Sequence, residues 1–255
     1  MSKKRSIVSP IETICHKSRY LSRIRRWIKS TPSPPHFDQP LQRKETIMKV
    51  TIIGAGNMGA ALSKQLALAG HQVRVIARDL NKASELNRSG VTVVPAQGAA
   101  EDADAVIVAT SYGDAAAALA AVGSLASKVV IDITNPLSAD YMSLTVGHTT
   151  SAAEEIAKAF PDAQIVKAFN TLFAQVIAAG ADFGNGRRAS TFVASDSERA
   201  KQTASTLAQS MGFEVVDAGG LKNARYLEPL AGLNIYLGYG AGLGTSIAPN
   251  WLHKA

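Results

Sequence analysis

Between Lys49 and Val216 the chain sets short, continuous apolar runs against longer stretches in which apolar side chains return every three or four positions. The first run, Lys49 to Ile53 (KVTII), is rich in β-branched residues and opens directly into Gly54-Ala55-Gly56-Asn57-Met58-Gly59. Leu62, Leu66 and Ala69 then keep helical spacing up to Gly70. Strand, glycine turn and helix follow from these periods. Gln72 to Ala77 (QVRVIA) predicts a second strand, Asp79 is placed to cap a helix reaching Ser89, and Val91 to Val94 predicts a third strand. Asp104 to Thr110 and Lys128 to Ile133 predict strands four and five around an alanine-rich helix, Asp114 to Val122, and strand five runs into Thr134-Asn135-Pro136. Ser151, with Glu154 three positions on, predicts a capping box for a helix ending at Phe160, and Gln164 to Ala168 predicts a sixth strand.

Strands that are apolar along nearly their whole length must be covered on both faces, and their alternation with helices gives an α/β class: a Rossmann-type doubly wound parallel sheet. The tail adds Ser190 to Ala194, a helix over Ser197 to Met211, Glu214 to Val216, and a helical pattern over Gly219 to Tyr239 before a glycine-rich end. The expected division is a leader (residues 1–47), a dinucleotide-binding domain (48–168) and a small C-terminal substrate lobe (169–255) able to close over a cleft.

Charge sharpens this division. The formal net charge is +7, but the first 47 residues alone carry 11 Lys or Arg against three acids, so the remainder is close to neutral. A near-neutral globular part offers no electrostatic footprint for a phosphate backbone, and nucleic-acid binding is not expected of it. The leader contains Thr31-Pro32-Ser33-Pro34-Pro35, which cannot build helix or central strand, so it reads as a linker, preceded by a short basic amphipathic segment, Tyr20 to Lys29. A start-site extension ahead of Met48 and a targeting segment are the two alternatives for it. No apolar run approaches the roughly 20 residues that cross a bilayer, so stable membrane insertion is not expected. Cys15 is the sole cysteine, which rules out an intrachain disulfide and is compatible with a reducing, cytoplasmic setting.

The chemistry concentrates at the glycine turn and at the strand ends. Gly54 permits the tight turn, Gly56 leaves room for a pyrophosphate against the main chain, and Gly59 allows the helix to lie close to the sheet. Amides at the helix start, those of Asn57 and Met58 with Ala55 beside them, then face an anion with the helix dipole behind them. The second strand ends Ile76-Ala77-Arg78. An acid there would bond both ribose hydroxyls and repel a 2′-phosphate, whereas Arg78, with Lys82 one turn on, pairs with one, so NADP is the expected cofactor. Asp79 leaves room for NAD. Ligands of open α/β sheets sit outside the carboxyl ends of the strands, which adds Thr110, Ser111, Tyr112, Asn135 and Pro136 as candidate cofactor contacts, and Lys167-Ala168-Phe169-Asn170-Thr171 leaves strand six at the cleft edge. Asn135 is placed either to bond the nicotinamide carboxamide or only to start a turn. Phe169 and Asn170 are candidates to face substrate, with core as the alternative for Phe169. No histidine, cysteine or acidic constellation suggests an acid–base pair or a metal site, and no catalytic side chain is assigned; direct hydride passage between two bound rings needs orientation and electrostatics instead.

The chain resembles the deazaflavin (coenzyme F420)-dependent NADP oxidoreductases and the related reductase domains of ferric reductases. The resemblance rests on GAGNMG (Gly54 to Gly59), ARDLNK (Ala77 to Lys82), DITNP (Asp132 to Pro136), TSAAEEIAKAFPDAQIVKAFNT (Thr150 to Thr171) and DAGGLKNARYLEPL (Asp217 to Leu230). It implies that Ala55 to Met58 line the pyrophosphate, that Ala77, Arg78 and Lys82 surround the 2′-phosphate, and that Asn135 and Ala168 stand at the nicotinamide end. It further implies hydride exchange between NADPH and a deazaflavin or flavin as co-substrate. Ala77 departs from the pattern, since a serine there would add a phosphate hydrogen bond. Two other readings of the residues are a pyrroline-5-carboxylate reductase-like enzyme, which has the same glycine motif but continues into a helical dimerisation domain, and a non-enzymatic NADP-binding module. A small redox acceptor is the expected partner, and a homodimer is a candidate assembly.

Overall fold

The computed structural model describes residues 47–251 and Lys254, so the expectations for the leader lie outside the described residues. The strands are β1 (Lys49–Ile53), β2 (Gln72–Ile76), β3 (Val91–Val94), β4 (Ala105–Val108), β5 (Val129–Asp132), β6 (Gln164–Lys167), β7 (Ser190–Val193) and β8 (Glu214–Asp217). The helices are α1 (Asn57–Leu68), α2 (Leu80–Ala83), α3 (Tyr112–Ala120), α4 (Ala152–Ala159), α5 (Ala174–Ala179), α6 (Glu198–Ser210) and α7 (Ala224–Ile235).

Six strands form one parallel sheet in the order β3-β2-β1-β4-β5-β6. The chain starts in the middle, winds outward one way and then crosses to the other side, so β1 and β4 lie side by side while their following connections leave in opposite directions. That divergence opens a crevice at their carboxyl ends, the usual ligand position in such sheets. The pleat explains why the strands of the main sheet are apolar over most of their length. Val50, Ile52, Val75, Ile107 and Ile131 join one buried cluster with Leu62 and Leu66 of α1 and Ala204 and Leu207 of α6. Ile53, Val106, Val108, Val130 and Ile165 point the other way, into a second cluster with Leu119 of α3 and Ile156 of α4. Alternate residues of one strand thus feed two cores, as a sheet covered on both faces requires.

The strands expected at Ser190 and Glu214 are present and pair in parallel, apart from the main sheet. Their connecting helix α6 sits in the same buried cluster as β1 and β5, and a Lys167–Ala194 bridge joins the end of β6 to the end of β7. Residues 45–255 accordingly form one compact unit.

Three local readings are corrected by the structure. The helix expected to reach Ser89 ends at Ala83 and passes through a tight turn at Ser84–Leu86. Asn87 diverts it: its side-chain oxygen accepts from the Val93 amide at 2.9 Å, a bond that competes with helix continuation. Helix α5 was not expected, because AQVIAA is short and its cap position is Phe173, which supplies no side-chain acceptor. It is held instead by tertiary contact, with Gln65 Nε2 of α1 donating to the Ala178 carbonyl at 2.9 Å. The Ser151 cap is real, its hydroxyl accepting from the Glu154 amide. The Glu154 carboxylate, however, does not reach back to the Ser151 amide; it accepts from the Ser151 hydroxyl and from Arg225 of α7.

Candidate active site

At the end of β1 the backbone does what the glycines allow. Gly54 has φ of +117°, and a Cβ there would lie 2.5 Å from the Ala109 carbonyl oxygen at the end of β4. A Cβ on Gly59 would overlap the Gly54 carbonyl oxygen, so the first turn of α1 lies directly on the loop. Gly56 differs from both, since a Cβ there meets nothing within 4 Å. Two glycines are thus demanded by the protein itself, while the third faces open space. Gly56 is the N-cap of α1, with no side-chain cap and no acid in the first turn. Asn57 is exposed, and Ala55 and Met58 are half-buried. A twelve-residue helix therefore presents uncapped first-turn amides, with about half a positive charge at its mouth, to the crevice. That fits a pyrophosphate: the donors are main-chain nitrogens, and Gly56 keeps side chains away.

On the β2 side, Ala77 is half-buried and Arg78 exposed, immediately after the last residue of the strand. Among the described residues no acid pairs with Arg78. Arg74, lower on the same strand, is committed: its guanidinium meets Asp102 at 2.5 Å and holds that carboxyl well below the usual carboxylate range, Lys49 assisting. Arg78 is thus the available cation of the strand. Lys82 falls in α2, and its side chain lies outside the described residues.

At the end of β4, Thr110 is half-buried and Ser111 exposed. The Ser111 hydroxyl donates to Asp114 Oδ2 at 2.9 Å, and that of Thr110 to the Ser111 carbonyl at 3.0 Å. Tyr112 follows in the first turn of α3. Burial raises its phenol above the ordinary value, and the charges of Glu155, Glu228 and Asp132 push the same way against Lys167.

The ends of β5 and β6 hold the residues missed in the sequence. Lys167 is fully buried; its ammonium donates to Asp132 Oδ2 at 2.8 Å and to the Thr134 carbonyl, and forms an ion pair with Glu228 Oε1 at 2.8 Å. Asp132 Oδ1 accepts from the Thr134 amide at 2.8 Å, and Glu228 accepts from the Ala152 and Ala153 amides at 2.9 and 3.2 Å. One lysine therefore ties β5, β6, the start of α4 and the middle of α7 together. Half of this had a signal: Asp132 and Lys167 end adjacent apolar strands and sit opposite each other in the register. Glu228, 61 residues beyond Lys167 in the chain, had none.

Above this network runs Thr134-Asn135-Pro136. Asn135 Nδ2 donates to the Asn170 carbonyl at 2.9 Å, and Asn170 Nδ2 donates to Asn135 Oδ1 at 3.0 Å and to the Leu227 carbonyl at 3.0 Å. The expected Asn135 and Asn170 are brought together, though as a pair that bonds itself. Pro136 and Ala168 are buried beside them. Phe169 takes the core alternative: its ring is fully buried, with φ of +58°, and its amide donates to Thr191 Oγ1 at 3.1 Å. The left-handed backbone of a bulky residue costs about 1 to 3 kcal/mol and is held here by the buried ring. It turns the chain sharply so that Asn170, not Phe169, meets Asn135. Buried Thr134 Oγ1 and Asn170 Oδ1 carry no protein hydrogen bond. Polar acceptors at the strand ends suit an amide-bearing ring at this end of a dinucleotide.

The family model for coenzyme F420-dependent NADP oxidoreductases matches residues 49–136. The chain is 31% identical over 215 residues to the F420-dependent NADP reductase of Methanothermobacter marburgensis, covering 74% of this chain and 92% of that protein. It is 30% identical over 182 residues to metalloreductase STEAP3 of Rattus norvegicus, covering 71% of this chain but only 36% of that protein's length. Among solved structures, one described as a putative F420-dependent NADP reductase from Arthrobacter sp. FB24 superposes with a TM-score of 0.72 at 30% identity, covering 81% of this chain and all of that one. A reductive aminase from Aspergillus terreus, at 19% identity and a TM-score of 0.58, shares the fold alone.

Proposed function

The chain belongs to the family of coenzyme F420-dependent NADP oxidoreductases, and from that premise we propose that it transfers hydride between NADP(H) and a flat deazaflavin or flavin acceptor. The observation that carries this reading is the uncapped mouth of α1 at the sheet crossover, with Gly56 open and Arg78 at the end of the neighbouring strand. In this reading Gly54 to Gly59 receive the pyrophosphate, and Ala77, Arg78 and Lys82 the 2′-phosphate. Thr110 and Ser111 border the cleft midway, and Asn135, Pro136 and Ala168 place the nicotinamide, with Asn170 behind them toward the acceptor. The cofactor supplies hydride chemistry; the chain's residues bind it, orient it and set the charge around it.

The C-terminal segment, residues 169–255, supplies Asn170 to that end of the cleft and the buried Glu228 behind it, in keeping with a substrate-side role. A homodimer belongs to the same reading, favoured by the exposed Leu233, Tyr236, Tyr239 and Leu243, and sedimentation at micromolar concentration distinguishes it from a monomer. The test of function is to titrate the protein with NADPH and NADH, then to follow loss of nicotinamide absorbance with deazaflavin and flavin acceptors. We expect tighter binding of NADPH and turnover with at least one acceptor. Equal binding of the two dinucleotides refutes the role given to Arg78, and binding without turnover leaves a non-enzymatic NADP-binding module.

A further inference from the structure

Among the described residues, Lys167, Asp132 and Glu228 form an ionic cluster that is buried on every side, which is a costly arrangement to keep for stability alone. Replacing such a cluster by apolar residues is often neutral or stabilising, so its charge invites a functional account. The charge is unbalanced. The carboxylate oxygens of Asp132 and Glu228 act as acceptors, from Lys167, from Thr134 and from two amides of α4, as ionised groups do. One ammonium against two carboxylates leaves one negative charge. The first turn of α4, whose amides Glu228 caps, returns about half a positive charge.

We propose that this buried excess of negative charge tunes the nicotinamide end of the cleft toward the oxidised cofactor. The inference rests on the reading of the site given above. Asp132 and Lys167 are the last residues of β5 and β6, and both hold Thr134, the neighbour of Asn135. A reduced nicotinamide ring is neutral. When it gives up hydride, a proton with two electrons, to a deazaflavin or flavin acceptor, it is left with one positive charge. A fixed negative charge behind the strand ends lowers the energy of that cationic state relative to the neutral one, and burial keeps solvent from screening it. Of the other charges nearby, Glu154 is paired with Arg225 and Glu155 with Lys158, while Asp114 accepts from the Ser111 hydroxyl.

The test compares Glu228→Gln and Asp132→Asn, which keep shape while removing one charge, with the parent protein. Dissociation constants of NADP+ and NADPH are measured for each by calorimetry or fluorescence titration. A residue that only supports the fold weakens both forms alike. The proposal expects the ratio of the NADP+ constant to the NADPH constant to rise by about threefold or more in each variant, the size of a partly screened single charge. An unchanged or lower ratio, with both forms still bound, overturns the proposal and leaves the functional reading intact. Failure of the parent to bind either form overturns both. Should the exchanges not fold, the parent alone decides: NADP+ binding at least as tightly as NADPH supports the proposal, and a preference for NADPH of about tenfold or more overturns it.

Discussion

The two ends of the cleft are built on opposite plans. At the glycine turn the groups on offer are main-chain amides and side chains are absent: Gly54 and Gly59 let β1, β4 and α1 touch, and Gly56 faces open space. At the ends of β5 and β6 the groups are side chains buried in one another, Lys167 with Asp132 and Glu228, and Asn135 with Asn170. The first plan is local and tolerates no added atom at Gly54 or Gly59. The second is assembled from four elements and tolerates no lost charge. In the function proposed above, an anion meets dipoles that need no counter-ion, whereas a ring that changes charge during reaction meets fixed charges whose desolvation cost the fold has already absorbed.

The contrast is broken most severely by removing the ammonium that holds the second end together. Lys167→Met leaves Asp132 and Glu228 buried without their cation, and we expect a loss of about 3 to 5 kcal/mol in chemical denaturation. A loss below about 1 kcal/mol means that the ammonium does not hold this end of the fold together. Next, the glycines separate from one another. Gly54→Ala meets both a forbidden backbone angle and the Ala109 carbonyl, costing about 2 to 4 kcal/mol, while Gly56→Ala changes stability by less than about 1 kcal/mol. Equal stabilities for the two variants contradict the division between a glycine needed by the protein and one needed by the ligand.

Arg78→Ala sharpens the comparison from the ligand's side. It is expected to weaken NADPH by about 1 to 3 kcal/mol, the worth of a charge-assisted contact, and to leave NADH nearly unchanged. A parallel loss for both dinucleotides places the guanidinium on the adenine or pyrophosphate instead of the 2′-phosphate. The smallest effect is one of pH. Arg225 holds the Glu154 carboxyl below its ordinary range, with help from the Ser151 hydroxyl and against burial. A carboxyl depressed in the folded state stabilises above its unfolded value, and that contribution is lost as pH falls through the folded one. Denaturation midpoints of the parent should therefore fall more steeply on acidification below the ordinary glutamate range than those of Arg225→Met. Identical acid limbs mean that the pair between α4 and α7 is not formed in solution.

The succession of strands and helices along the chain, the two-faced burial of the sheet, the glycine turn and the cation after β2 were all legible in the amino-acid sequence, because each depends on residues close together in the chain. A β-branched run followed by Gly54, Gly56 and Gly59 permits few backbone paths, and uniform apolarity leaves a strand only the interior of a covered sheet. What lay beyond that reading was decided in three dimensions. Asn87 ended a helix by bonding across to β3; α5 formed only because α1 was there to hold it; Phe169 turned inward, so that Asn170 met Asn135. Glu228 reached Lys167 and the mouth of α4 from the far end of the chain. Short-range rules see conformational permission, and permission is written in single residues. Which buried charges meet is a property of packing, and no window along the sequence contains all three members of that cluster at once.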